Sequence, residues 1–95
     1  MFVISLTYRV PLDQVEQHFA DHMAWVERHY AEGRFLASGR KVPRTGGVIL
    51  AVGADREEIE AIVAEDPFVL AAVADVGITE LQVTRTSPGL EALKG

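Results

Sequence analysis

Residues 2–30 have the sequence FVISLTYRVPLDQVEQHFADHMAWVERHY, in which the spacing of the apolar side chains changes partway along. In the first part they alternate with more polar side chains, which is typical of a β-strand with one wetter face. Pro11 ends this strand, because proline has no N–H to donate to a strand ladder. Asp13 and Glu16 then have the spacing of a capping box. They predict the start of a helix of about five turns, with an apolar stripe formed by Val15, Phe19, Met23, Val26 and Tyr30.

Two short apolar segments follow this helix. Residues 35–37 and 48–52 are separated by Pro43 and the pair Gly46-Gly47. Proline and paired glycines favour turns, so the two segments are predicted to form a β-hairpin.

The last third of the chain predicts a second helix, a short helical extension and a fourth strand. The second helix begins near Asp55, which has capping-box spacing with Glu58. The dipeptide Asp66-Pro67 interrupts it, since Asp as N-cap followed by Pro is a common helix start. We therefore expect a separate short helix over 68–74, ended by Gly77, and a strand over 79–84. The tail, residues 86–95, is expected to form a surface turn and a short helical piece.

The order of these elements is β, α, β, β, α, β, which predicts a single α+β domain over residues 1–95. Two crossover connections and one hairpin favour the ferredoxin-like arrangement, a four-stranded antiparallel sheet with the helices on one face. The opposite face is expected to carry apolar side chains such as Val3 and Ile49. An exposed apolar face of this kind favours pairing with a second copy, so we expect a homodimer or a higher oligomer.

Composition excludes several classes of function. The net charge of −5 argues against nucleic acid as a partner, which would require a basic face. No segment reaches the roughly 20 apolar residues of a membrane span, and the first residues do not resemble a signal peptide. Since the chain also has no cysteine, we expect a cytoplasmic protein with neither a disulfide nor a thiolate metal site. The basic segment 40–44, RKVPR, is either a solvated loop or a lip that attracts anions to a pocket.

All three histidines lie on the first predicted helix. His18 and His22 have a spacing that suits metal ligands, but no third ligand follows, so no metal is expected. His18 and His29 are expected to be solvated. His22 lies at the edge of the apolar stripe, where it is either a core histidine bonded to a carbonyl or a general acid/base.

Two other positions, Asp66 and Ser38, are candidates for the same site. Asp66 is first of all a helix cap, and a helix N-terminus also keeps a carboxylate ionised, as orienting a histidine requires. Ser38 either donates a hydrogen bond to a substrate or satisfies the end of a strand. Trp25 and Phe68 are expected to be core residues rather than a ligand platform.

Four segments, taken together, resemble the YciI-like (YCII-related) family. They are DHMAWV at 21–26, FLASG at 35–39, GGVI at 46–49 and DPF at 66–68, in the order of the family. The resemblance implies a ferredoxin-like subunit that pairs through its sheet into a dimeric α+β barrel. It also implies an active site with a His–Asp pair, which maps onto His22 and Asp66. Where the family often has proline after the Ser-Gly pair, this chain has Arg40.

The resemblance and the residues together suggest an enzyme without a cofactor. The family's activities point to elimination from, or isomerisation of, small hydroxylated or lactone-type rings. In this hypothesis His22 moves the proton, Asp66 orients it, and Ser38 and Arg40 hold a small anionic or phenolic substrate. The alternatives are a non-catalytic dimeric module that binds a small molecule or stabilises a larger enzyme system, and a relative of cofactor-independent monooxygenases on the same barrel. A hydrogen bond between His22 and Asp66 beside an open pocket would favour the enzyme.

Overall fold

The computed structural model describes all 95 residues, which form four strands and four α-helices. In chain order the elements are β1 (Phe2–Tyr8), α1 (Leu12–Glu16), α2 (Phe19–Ala31), β2 (Phe35–Arg40), β3 (Gly46–Ala51), α3 (Arg56–Ala64), α4 (Pro67–Leu70) and β4 (Ala74–Glu80), followed by a 3₁₀ helix (Glu91–Lys94). None of the helices is both long and apolar enough to cross a membrane.

The strands form one antiparallel sheet in the order β2-β3-β1-β4. Helices connect β1 to β2 and β3 to β4, and in each case another strand lies between the two that are connected. This interlocked arrangement is the ferredoxin-like fold, which confirms the predicted fold class. Side chains of β1 share one core with residues from α2 and α3, among them Trp25, Val26, Ile59 and Val63.

The two faces of the sheet follow from its register. Ile4 is paired with Ile49, and both side chains are buried in the core. Because directly paired residues lie on the same face of a sheet, the prediction that Ile49 lies on the open face is wrong. Val3 has the opposite parity and is paired with Leu50. Both are half-buried and lie on the face that the helices leave open.

The single helix predicted from Asp13 onward is two helices. His18 has φ −109° and ψ 6°, which interrupts the helical backbone and makes it the N-cap of α2. The N-cap of α1 is Pro11 rather than Asp13, and Asp13 lies in the first turn. A carboxylate is favourable there through the helix dipole, which explains the residue type without a capping box. At α3 the predicted cap is confirmed, since Asp55 accepts a hydrogen bond from the N–H of Glu58.

The buried face of α2 is rotated from the predicted stripe. Its buried side chains are His22, Trp25, Val26 and His29, whereas Met23 and Tyr30 are 36% and 38% exposed. The prediction of a solvated His29 is therefore wrong. Its ring lies within 5.5 Å of the rings of Trp25 and Phe35, measured between centroids. Aromatic packing of this kind stabilises a buried imidazole that hydropathy alone places at the surface.

The fourth strand begins earlier than the alternation over 79–84 predicts. Helix α4 ends at Leu70, and Ala72 turns the chain with a positive φ of 56°. Strand β4 then starts at Ala74 and includes Gly77, which is paired with Ser5. The prediction that Gly77 ends a helix is wrong. The helix has already ended before the turn at Ala72, so Gly77 lies within the strand. The helical piece predicted in the tail is the 3₁₀ helix.

Candidate active site

Asp66 is placed by the junction between α3 and α4. Its carboxylate caps α4, where Oδ1 accepts a hydrogen bond of 2.9 Å from the N–H of Phe68, and Pro67 occupies the first helical position. The residue is fully buried. A carboxylate that is removed from water needs such a donor to offset its lost hydration. The cap predicted from the sequence is therefore present, and it fixes the position of Oδ1.

The same oxygen contacts His22. The distance from His22 Nδ1 to Asp66 Oδ1 is 2.7 Å, across 44 residues of sequence. An ionised carboxylate can only accept a hydrogen bond, so Nδ1 is the donor. In the neutral imidazole this leaves the lone pair on Nε2. His22 Nε2 has no hydrogen-bond partner in the chain, and it is not one of the buried polar atoms that lack a partner. It is therefore accessible to a ligand.

Aromatic rings fix the plane of the His22 imidazole. It stacks on Phe68 with centroids 3.9 Å apart and 5° between the planes, and its centroid is 5.6 Å from that of Trp25. The indole of Trp25 is itself anchored, because its Nε1 donates to the carbonyl oxygen of Ile62 at 3.1 Å. The imidazole thus has a fixed position and a fixed hydrogen-bonded nitrogen.

A pocket of about 250 Å³ lies between α2, α4 and the sheet, and His22 is part of its wall. Its lining is mainly apolar, with side chains that include Leu6, Phe19, Met23, Val26 and Phe68. Pockets for drug-sized ligands measure roughly 300–1,000 Å³. The volume here lies just below that range, so the pocket is a small one. Asp66 lies behind His22 and does not line this pocket.

The structure brings Ser38 to the same pocket. Ser38 pairs with the buried Ile49, so its side chain lies on the helix-facing side of β2, at the pocket wall. Its Oγ is 2.7 Å from the hydroxyl oxygen of Tyr30. Helical periodicity places Tyr30 only in the apolar stripe and gives no sign of this contact. A tyrosine eight residues before a serine is not a recognisable motif, and only the packing of α2 on β2 brings the two together.

Arg40 also lines the pocket wall. The other two cations of the basic segment are occupied: Lys41 donates to Thr7 Oγ1 at 3.0 Å, and Arg44 pairs with Glu16 at 3.6 Å. Arg40 forms no ion pair or side-chain hydrogen bond within the chain. An unpaired guanidinium is a donor that suits anionic groups.

The other two histidines lie outside this arrangement. His18 is half-buried at the start of α2, and no group of three or more metal-ligating side chains converges in the chain. His29 is buried, and burial lowers its pKa below the ordinary value of 6.5. Glu32, 3.5 Å from His29 Nδ1, offsets part of that effect. His29 does not line the pocket.

The chain matches a known protein family in sequence and a solved structure in fold. Residues 1–82 match the sequence profile of the YCII-related domain. No curated protein matches the chain significantly. Among solved structures, the fold is similar to that of 5-chloro-2-hydroxyhydroquinone dehydrochlorinase from Burkholderia phenoliruptrix, in complex with 2,5-dihydroxybenzoquinone. The TM-score is 0.73 and the sequence identity 21%, over 84% of this chain and 91% of the other.

Proposed function

Because the chain belongs to the YCII-related domain family, we propose that it is a cofactor-free acid/base enzyme acting on a small hydroxylated ring compound. The observation that carries this proposal is the 2.7 Å contact between His22 Nδ1 and Asp66 Oδ1, at the wall of an apolar pocket. A histidine with one nitrogen bonded to a carboxylate and the other free is the arrangement of a general base.

The proposed reaction is an elimination or an isomerisation. His22 Nε2 removes a proton from a ring carbon or a ring hydroxyl, and the Asp66 carboxylate stabilises the imidazolium that forms. In an elimination, the electron pair of the broken C–H or O–H bond forms a new double bond in the ring system. The leaving group departs with the electrons of its own bond, and the imidazolium releases its proton. In an isomerisation, the imidazolium returns the proton to a second atom of the ring system.

The proposed substrate class follows from the pocket wall. Phe19, Met23 and Phe68 offer apolar contact to the faces of a ring, and Arg40 offers a cation to an ionised oxygen. The structural neighbour is described as a dehydrochlorinase of a chlorinated hydroxyhydroquinone, and its structure contains a dihydroxybenzoquinone. We therefore propose hydroxylated hydroquinones and quinones, and related phenols, as the class to examine.

A matched pair of histidine variants tests the role of His22. Purified protein is incubated with a panel of one-ring hydroxylated compounds, halogenated and not, and the products are identified by chromatography and mass spectrometry. His22→Gln is expected to lower turnover by about 10²–10⁴-fold, the usual contribution of a general base. His18→Gln, on the same face of the helical region but outside the pocket, is expected to keep wild-type turnover. Equal turnover in the two variants would refute the proposal, and binding without turnover would favour the ligand-binding module.

Arg40 is proposed to bind the anionic part of the substrate. Arg40→Gln is expected to raise KM by about 10- to 100-fold with little change in kcat, since a charge-assisted hydrogen bond contributes about 1.5–3 kcal/mol. Arg44→Gln removes a neighbouring cation that already pairs with Glu16, and should leave KM near the wild-type value. Added salt should raise the wild-type KM more than that of Arg40→Gln.

We also propose that the open face of the sheet forms a homodimer. Val3, Leu50 and Ala37 lie on that face and present apolar side chains there. Leu50→Glu places a carboxylate on the face and is expected to convert dimers to monomers in sedimentation velocity. Leu70→Glu changes a leucine that is 72% exposed on α4 and is expected to leave the assembly unchanged. A wild-type protein that sediments as a monomer at high concentration would contradict the dimer.

A further inference from the structure

Two hydroxyl groups are paired at one side of the pocket. Tyr30 belongs to the last turn of α2, and Ser38 belongs to β2, yet their oxygens are 2.7 Å apart. Ser38 lines the pocket and Tyr30 does not. The phenol ring of Tyr30 packs edge-on against Phe35, with centroids 6.0 Å apart and planes at 90°. Tyr30 therefore contacts Ser38 from outside the pocket, and the residue is itself 38% exposed.

Either hydroxyl can donate in this contact, and the acidity of the two groups favours one of the two directions. A phenol has a pKa near 10 and is a stronger donor than an aliphatic alcohol, so the favourable arrangement has Tyr30 donating and Ser38 accepting. The proton of Ser38 is then not used by Tyr30. Ser38 makes no other side-chain hydrogen bond in the chain, so this proton is available to a group in the pocket.

We propose that Tyr30 and Ser38 form a donor relay that binds an ionised ring oxygen, with Tyr30 as a positioning residue that acts through Ser38. Hydrogen bonds in series polarise one another, so donation from Tyr30 makes the Ser38 hydroxyl a stronger donor to an oxyanion. In this relay the Ser38 hydroxyl donates a directed hydrogen bond to the ring oxygen, whereas Arg40 provides a positive charge. It rests on the proposed function in one respect, namely that the ligand of this pocket is a phenol or a related ring compound.

The relay has a chemical consequence for the proposed reaction. Removal of a proton from a hydroxylated ring increases the negative charge on a ring oxygen, and a donor aimed at that oxygen stabilises the transition state more than the ground state. Loss of Tyr30 should then affect kcat as well as binding, whereas loss of Arg40 should affect mainly KM.

A double-mutant cycle with 4-nitrophenol as the probe tests the relay without turnover. Its phenolate form absorbs visible light, so a spectrophotometric titration measures the affinity and reports hydrogen bonding to the bound oxygen through the position of the absorption band. Ser38→Ala is expected to weaken binding by about 10- to 100-fold, and Tyr30→Phe by about 3- to 10-fold. In the Ser38→Ala background, Tyr30→Phe should change the affinity less than about twofold, because its only route to the probe is gone. Both single variants should shift the bound absorption band.

The hydroxyl of Thr45 provides a control for this cycle. Thr45→Val removes a hydroxyl that bonds to the Pro43 carbonyl outside the pocket, and should leave affinity and absorption band unchanged. Additive effects of Tyr30→Phe and Ser38→Ala would overturn the relay, as would absence of probe binding to the wild type. Repeating the titration in His22→Gln separates the two proposals. If His22→Gln binds the probe normally and the wild type turns over no compound of the panel, the acid/base chemistry is refuted and the relay is not. Unchanged binding by Tyr30→Phe refutes the relay alone.

Discussion

The imidazole of His22 lies face to face with the ring of Phe68, with centroids 3.9 Å apart and planes 5° from parallel. The backbone N–H of Phe68 also donates to the Asp66 oxygen that His22 contacts. The first residues of α4 therefore determine both the plane of the imidazole and the position of its carboxylate partner. A helix of only four residues is in this way a structural support of the candidate site.

Phe68→Leu tests this support. The variant removes the stacked ring but keeps an apolar side chain, and we expect it to lower the free energy of unfolding by about 1–2 kcal/mol. The imidazole also loses the ring that stacks on it. Turnover of a confirmed substrate should therefore fall by more than the decrease in the fraction of folded protein accounts for. Phe2→Leu removes an equally buried phenylalanine from the start of β1, away from the pocket. It should lower stability by a similar amount and leave turnover per folded molecule unchanged, as chemical denaturation and kinetics can establish.

Asp66 has two roles that substitutions can separate. Asp66→Asn keeps an oxygen able to cap α4, since Asn is as good an N-cap as Asp. It removes the negative charge that is proposed to stabilise the imidazolium. Its new N–H₂ group replaces Oδ2, a buried atom without a partner. We expect a stability loss of about 1–3 kcal/mol and a fall in kcat of about 10²-fold or more.

Asp66→Ala is the comparison for that variant. It also removes the cap, so it should be less stable than Asp66→Asn by about 1 kcal/mol. Melting temperatures and kcat measured on the same preparations check both expectations. An Asp66→Asn variant with wild-type kcat would show that the carboxylate acts only as a helix cap.

Gly46 is required by the close approach of two strands. A Cβ added at Gly46 would overlap the carbonyl oxygen of Leu6 in β1, and backbone atoms of a central strand cannot move aside cheaply. Gly46→Ala is expected to destabilise the fold by about 3 kcal/mol or more. Gly77→Ala is a matched control in β4, because no atom lies within 4 Å of its added Cβ. Equal melting temperatures for these two variants would contradict the register of β1 and β3.

His29 should make the stability of the fold depend on pH. Burial lowers its pKa below 6.5 in the folded state, so the unfolded chain binds more protons in the interval between the two pKa values. Stability therefore rises with pH in that interval. As the pH falls, the free energy of unfolding begins to decrease below about pH 6.5. The decrease levels off once His29 is also protonated in the folded state.

Urea unfolding at about pH 8 and about pH 5 measures this effect of the His29 titration. The difference in unfolding free energy between the two conditions should be smaller in His29→Leu than in the wild type. Thr45→Val, a change at an exposed residue that carries no titratable group, should keep the wild-type difference. The same pH dependence in His29→Leu and the wild type would mean that other groups cause it.

Part of the candidate site was predictable from local patterns, whereas the pairing of His22 with Asp66 was implied only by the family resemblance. The Asp66-Pro67 pair carries the signal of a helix start wherever it occurs, and the position of His22 next to apolar neighbours indicates a partly buried imidazole. The orientation of α2 was not predictable in the same way. Met23 and Tyr30 are more hydrophobic than His29, yet His29 is buried among aromatic rings and they are exposed. Packing against Trp25 and Phe35 outweighs hydropathy at that position.

The sequence by itself determined the order of the elements, the ferredoxin-like topology and the cap at Asp66, since each follows from periodicity or from the stereochemistry of proline and glycine. Only the tertiary structure decided which residues meet. Residues separated by 44 positions come within 2.7 Å at His22 and Asp66, and the hydroxyls of Tyr30 and Ser38 become neighbours across a helix and a strand. The physical reason is that such contacts depend on how helices rotate and pack against the sheet. That packing minimises the free energy of the whole core, and no local pattern records it.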